Sequence, residues 1–115
     1  RIEARYVMKY LLPEEALEAV HVYFPDPWPK DRHARHRLID GEFPQATARL
    51  LTKGGVIHLR TDDAKYFKQM QLVFCAHGGF KEEETPDELV ARVTEFEKEF
   101  NAQGKPTNHA SWRLT

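Results

Sequence analysis

The chain has 115 residues and a formal net charge of −1, which bounds it to one domain, or part of one, with room for a single modest core. A charge so near zero excludes long-range attraction of a polyanion by the molecule as a whole, so a nucleic-acid partner must be met by a local basic patch. No apolar run is long enough for a bilayer and no signal peptide is visible, so no membrane partner is expected; the single cysteine, Cys75, precludes an internal disulfide and suits a reducing, cytoplasmic location.

The chain starts at Arg1 without a methionine, inside what reads as the end of a strand, so it is expected to be a piece of a longer protein. Residues from about Ala4 to Leu12 read as a helix stopped by Pro13, and His21 to Phe24 as a short buried strand ended by prolines. Phe43, Ala46, Leu50 and Leu51 share one face of a second helix. Gly54-Gly55 is expected to stop it, and Val56-Ile57-His58-Leu59-Arg60 follows as a second strand. Thr61-Asp62-Asp63 can cap a third helix, whose apolar face is Phe67, Met70 and Phe74 and whose end is Gly78-Gly79. Cys75 lies in that stretch beside Leu72, Val73 and Phe74 and reads as a small core residue. Phe80 to Thr85 reads as an edge strand and Val90 to Asn101 as a last helix. Ala110, Trp112 and Leu114 then alternate as a final strand. Short apolar runs alternating with helical patterns predict an α/β layer fold, roughly half of an open, twisted sheet with helices on both faces.

Ligands of such sheets bind beyond the carboxyl ends of the strands. Three acids fall there: Glu3 after the presumed first strand, Asp26 after the His21 strand, and Asp62 after the Val56 strand. Asp26 sits between two prolines in Phe24-Pro25-Asp26-Pro27-Trp28-Pro29-Lys30, and the basic run Arg32-His33-Ala34-Arg35-His36-Arg37 follows. Proline fixes the backbone on either side of the carboxylate, so aiming it costs little entropy. Six histidines show no HExxH spacing, and one cysteine cannot build a thiolate cluster, so no metal site is expected.

The stretch Tyr23-Phe24-Pro25-Asp26-Pro27-Trp28-Pro29-Lys30 with Arg32-His33 and Arg35-His36-Arg37 resembles the signature of bacterial tRNA (guanine-N7)-methyltransferases, which are S-adenosylmethionine-dependent. Glu3-Ala4, Thr61-Asp62 and Thr94-Glu95-Phe96-Glu97 agree with the family in order and spacing. His36 and Asp31 depart from its usual Lys or Arg pattern. The resemblance implies the carboxyl-terminal part of a Rossmann-like class I methyltransferase domain over residues 1–115. The family's glycine-rich cofactor loop has no counterpart in these residues, so this piece alone is expected to bind S-adenosylmethionine poorly.

The same resemblance implies that the complete enzyme transfers a methyl group from S-adenosylmethionine to N7 of a variable-loop guanosine in tRNA. Glu3 and Asp26 would serve the cofactor, with Asp26 also the catalytic candidate. Lys30, Arg32, His33, Arg35, His36 and Arg37 would contact tRNA, and Asp62, Thr94, Glu95, Phe96 and Glu97 the target nucleotide. Guanine N7 carries an unprotonated lone pair at neutral pH, so transfer needs alignment more than a base, and a carboxylate near the ring stabilises the charge it gains. Duller readings stand beside these. Pro25-Asp26-Pro27 alone is a turn with an Asx hydrogen bond, Asp62-Asp63 a helix cap, Thr94-x-x-Glu97 a capping box, and Trp28 a loop anchor. A non-catalytic RNA-binding module is the alternative of a different class. Nothing in the residues separates a monomer from a homodimer.

Overall fold

The computed structural model describes residues 7–28 and 36–115. Val7–Leu11 forms a single π turn before Pro13; the expected helix from Ala4 begins outside the described residues. The elements that follow are β1 (Leu17–Tyr23), α1 (Phe43–Leu50), β2 (Leu51–Thr61), α2 (Ala64–His77), β3 (Phe80–Glu83), α3 (Asp87–Val90), α4 (Glu95–Ala102) and β4 (Asn108–Leu114). Among the described residues they make a four-stranded sheet in the order β1-β2-β4-β3. β1 and β2 run parallel, whereas β4 lies antiparallel to β2 and β3. β3 is at the edge, as its short, charged sequence predicts.

Side-chain alternation divides the sheet into an apolar and a polar face. Ile57 and Leu59 of β2 share a face with Ala110 and Trp112 of β4, and there they join Phe43 of α1 and Tyr66, Met70 and Phe74 of α2 in the core. Phe74 organises it: its ring meets Phe43 and Phe80 edge-on at 6.1 and 5.0 Å and stacks on Trp112 at 5.6 Å. The opposite face carries His21, Tyr23, His58, Arg60 and Ser111, and there Glu97 of α4 meets Arg60. Helices therefore serve both faces of a mixed sheet, as in part of a Rossmann-like α/β layer fold.

Among the local expectations that change, β1 starts at Leu17, four residues before His21, and leaves His21 and Tyr23 exposed rather than buried, because one face of this edge strand is polar. α1 ends at Leu50, four residues before Gly54, because Leu51 turns extended and enters β2 fully buried. Gly54-Gly55 instead makes an irregularity inside β2: the register jumps from Leu17↔Leu51 to Ala19↔Val56. Gly54 has φ +79°, and a Cβ at Gly55 would meet the Thr52 carbonyl oxygen at 2.9 Å, so glycine serves the bulge and not a helix end. Val90 to Asn101 is broken into α3 and α4, with carbonyls near the break turned towards Arg60. Cys75 is exposed on the outer side of α2, not in the core. The end of α2 at Gly78, with φ +79°, agrees with expectation.

Candidate functional site

β1 and β2 are parallel and pair Tyr23 with Arg60, so both release their chains at one end of the sheet. β4 enters at that end, with Asn108 paired to Thr61. The carboxyl-end crevice is thus framed by the loop after Tyr23, the turn after Thr61 and the segment leading into Asn108.

The loop after β1 carries Asp26 on a strained backbone. Phe24 has φ +54° and Trp28 φ +42°, left-handed values that cost bulky residues energy and persist only where surroundings enforce them. The Phe24 amide donates to the Arg60 carbonyl at 2.8 Å. The Trp28 amide donates to Asp26 Oδ1 at 3.0 Å, the Asx turn that a Pro-Asp-Pro sequence favours. Asp26 nonetheless stays exposed. Trp28 is half-buried with its ring 5.1 Å from that of the exposed His36.

Arg37, expected among the tRNA contacts, is turned inward and only 8% exposed. Its Nε donates to the Pro27 carbonyl at 2.5 Å, one Nη to the Trp28 carbonyl at 3.2 Å, and the other to Gln69 Oε1 of α2 at 2.5 Å. Gln69 is itself held by donating to the Ile39 carbonyl at 2.9 Å. The planar guanidinium spans acceptors that a point charge could not, and it also lies 5.6 Å from the centre of the Tyr66 ring. Arg37 is a brace under the Asp26 loop.

At the exit of β2 the two aspartates divide their work. Asp63 is the N-cap of α2, its carboxylate accepting from the Tyr66 amide at 2.8 Å. Asp62, half-buried, is outside that capping bond. The Asn108 side chain donates to the Thr61 carbonyl at 3.3 Å, closing the strand ends together.

Thr94 and Glu97 form a capping box at the start of α4. The Glu97 amide donates to Thr94 Oγ1 at 3.1 Å, and the Thr94 amide reaches Glu97 Oε1 at 3.4 Å. Glu97 is 1% exposed and Arg60 3%, and they pair at 2.7 Å. Thr107 donates to the second Glu97 oxygen at 3.2 Å. The carboxylate expected to grip a nucleotide is therefore engaged on both oxygens. Glu95 is exposed and pairs with exposed Lys98 at 3.2 Å, a contact worth little in water. Phe96 lies in the same first turn of α4.

Glu3, Lys30, Arg32, His33 and Arg35 lie outside the described residues. Sequence reasoning passed over Arg60, Gln69, Thr107 and His109. Arg60 had a signal: a charge closing the apolar run Val56 to Leu59 must find a partner if the strand is buried. His109 pairs with Arg60 across the strands, and its Nε2 is buried without a hydrogen-bond partner among the described residues. Burial, then the charge of Arg60, lowers its pKa. His109 borders an open depression with Val90, Val93, Glu97 and Thr107.

A protein-family model described as "Putative methyltransferase" matches residues 1–110. The chain is 35% identical over 112 residues to a tRNA (guanine-N(7)-)-methyltransferase of Nitrosococcus oceani, covering 97% of this chain and 46% of that protein. It is 37% identical over 118 residues to the enzyme of the same name from Marinobacter nauticus, covering 98% and 48%. The chain thus spans about half the length of the curated relatives it matches. Among solved structures, a SAM dependent methyltransferase from Archaeoglobus fulgidus aligns with a TM-score of 0.56 and 12% identity, over the whole of this chain (100%) and 66% of that one. The aminoglycoside resistance methyltransferase NpmB1 aligns at 0.51 with 11% identity, over 89% and 54%. These two carry the likeness of fold.

Proposed function

The chain belongs to that methyltransferase family, and on this premise we propose that the complete protein is a tRNA (guanine-N7)-methyltransferase that uses S-adenosylmethionine. The observation that carries the reading is the exposed Asp26 carboxylate at the shared exit of two parallel strands, held by left-handed Phe24 and Trp28 and braced by Arg37. A strained, over-determined acidic loop at a strand end is a costly feature whose position suits ligand binding. The relatives' names supply the substrate and the base.

S-adenosylmethionine supplies, when bound, an electrophilic methyl group on a positive sulfonium. An exposed carboxylate with one oxygen fixed by the Trp28 amide fits a cationic ligand, and Asp26 is the residue of this chain proposed to face it; Glu3 is proposed as the second acid. On the RNA side, Asp62 and Thr94 are proposed to orient the guanosine, Glu95 and Phe96 to flank it, and Glu97 to act by holding Thr94. Lys30, Arg32, His33, Arg35 and His36 are proposed to meet phosphates, which positions the RNA without reading it. Guanine N7 needs no deprotonation, so orientation and stabilisation of the ring's growing positive charge are the tasks left to these residues.

The test is mass analysis of tRNA after incubation with the full-length protein and S-adenosylmethionine. One added methyl group at guanine N7 supports the proposal; unmodified tRNA overturns it.

A further inference from the structure

Among the described residues, Arg60 gathers more of the crevice than any that the sequence singled out. Its guanidinium sits 4.3 Å from the centre of the Tyr23 ring, the last residue of β1 before the Asp26 loop. One Nη donates to Glu97 Oε1 at 2.7 Å and to the Arg92 carbonyl at 2.8 Å, and the other donates to the Leu89 carbonyl. Its own carbonyl takes the Phe24 amide at 2.8 Å. One side chain therefore touches the root of the Asp26 loop, the break between α3 and α4, and the acid that closes the Thr94 capping box.

We propose that Arg60 is a positioning residue that couples the Asp26 loop to the Leu89–Glu97 segment, so that the methyl-donor side and the nucleotide side of the crevice are held in one arrangement. Its functional readout rests on the methyl-transfer reading above. A buried pair with both charges present and extra carbonyl acceptors is costly to break from one side, because the remaining charge is stranded. Removing both partners avoids that penalty but also removes the Glu97 bonds from Thr94 and Thr107, so Arg60→Lys, which leaves Glu97 in place, is the variant that isolates the coupling. The stack on Tyr23 and the two carbonyl bonds require a planar, multi-donor group, so lysine cannot replace arginine here.

The experiment compares wild type, Arg60→Met/Glu97→Met and Arg60→Lys in the full-length protein by hydrogen exchange and by methyl-transfer kinetics. In the double variant, exchange should rise about tenfold or more in peptides covering residues 24–28 and 87–97 together, with α2 unchanged. KM for tRNA should rise about tenfold while the dissociation constant of S-adenosylmethionine stays within about twofold. Arg60→Lys should loosen the same two peptides by a smaller factor, which keeps the proposal testable if the double variant does not fold. Faster exchange confined to residues 87–97, or unchanged KM for tRNA in an active double variant, overturns the coupling. A wild type that leaves tRNA unmethylated overturns the activity reading alone, and the paired exchange of the two peptides still decides the coupling.

Discussion

Replacing Arg37 by alanine separates a brace from a phosphate contact. Arg37 donates three hydrogen bonds, to the carbonyls of Pro27 and Trp28 and to Gln69. A bond from a charged donor contributes about 1.5–3 kcal/mol. The loop carbonyls can rehydrate once the guanidinium is gone, so the net loss should be nearer one strong bond than three, about 2–3 kcal/mol. If that loss is felt in positioning Asp26 at the transition state, kcat falls roughly 30- to 150-fold. Salt dependence supplies the second readout. A residue that neutralises one phosphate lowers the slope of log binding constant against log salt by about 0.7–0.9. Arg37→Ala should leave that slope unchanged, since the side chain is buried under the loop. Methyl transfer and tRNA binding from low to high salt would both be measured in the full-length protein, with Arg37→Lys as the control that keeps charge but loses the fork. A slope reduced by about 0.7 or more with kcat intact would refute the brace and return Arg37 to the RNA surface.

Asp26→Ala should lower methyl transfer by about a hundredfold or more without moving the thermal midpoint, because the side chain is exposed; a variant of wild-type activity removes Asp26 from its role. Asp63→Ala should cost about 1 kcal/mol in denaturant unfolding through loss of the α2 cap, whereas Asp62→Ala should leave stability alone and raise KM for tRNA. The reverse pattern would exchange their roles. Burial, with the neighbouring His21 charge second, lowers the pKa of His58, so its folded form resists protonation. The unfolded chain then binds the proton more readily, and this contribution to stability is full above the unfolded value of about 6.5 and is lost as pH falls through the lower folded value. His58→Asn, which can still pair with Ser111, should therefore flatten the acid side of the stability profile; an unaltered profile would show that His58 titrates freely.

Legibility followed the range of the interaction. The exits of β1 and β2 and the cap of α2 were readable because prolines after Phe24, alternation from Val56 and Asp63 before Ala64 act within a few residues. The bulge at Gly54-Gly55 was misread because a glycine pair after a helical pattern signals a stop equally well; only the close approach of the Thr52 carbonyl shows which backbone needs it. Arg37 was found as a position but given an outward-facing role, whereas Glu97 was read both as a nucleotide contact and as the acid of a capping box, and the structure shows the box. Their partners, Gln69 and Arg60, lie 32 and 37 residues away, and one chain read along its length does not reveal contacts at that separation. Cys75 was misplaced by one step around α2: the buried face is Tyr66, Met70 and Phe74, and the residue after Phe74 points outward.

Burial of these arginines also changes what a polyanion meets. Among the chain's 17 Lys and Arg, Arg37 and Arg60 are spent inside the fold, and Arg113 faces Glu83 at 2.6 Å. Of the basic run proposed to meet phosphate, this leaves Lys30, Arg32 and Arg35 as its Lys and Arg. Three phosphate contacts correspond to a salt slope of roughly −2 to −3, too shallow for charge alone to select a tRNA. On the proposed function, selection would then come from shape and from the nucleotide held in the crevice, which would give the left-handed backbone at Phe24 and Trp28 its use. A loop that costs strain to hold can reject a misplaced base by denying it alignment, where phosphate contacts alone would bind any RNA equally. Triple replacement of Lys30, Arg32 and Arg35 by alanine should thus weaken all RNAs alike, whereas Arg37→Ala should reduce turnover on bound tRNA; a triple variant that discriminates among RNAs would place the selectivity in the basic run instead.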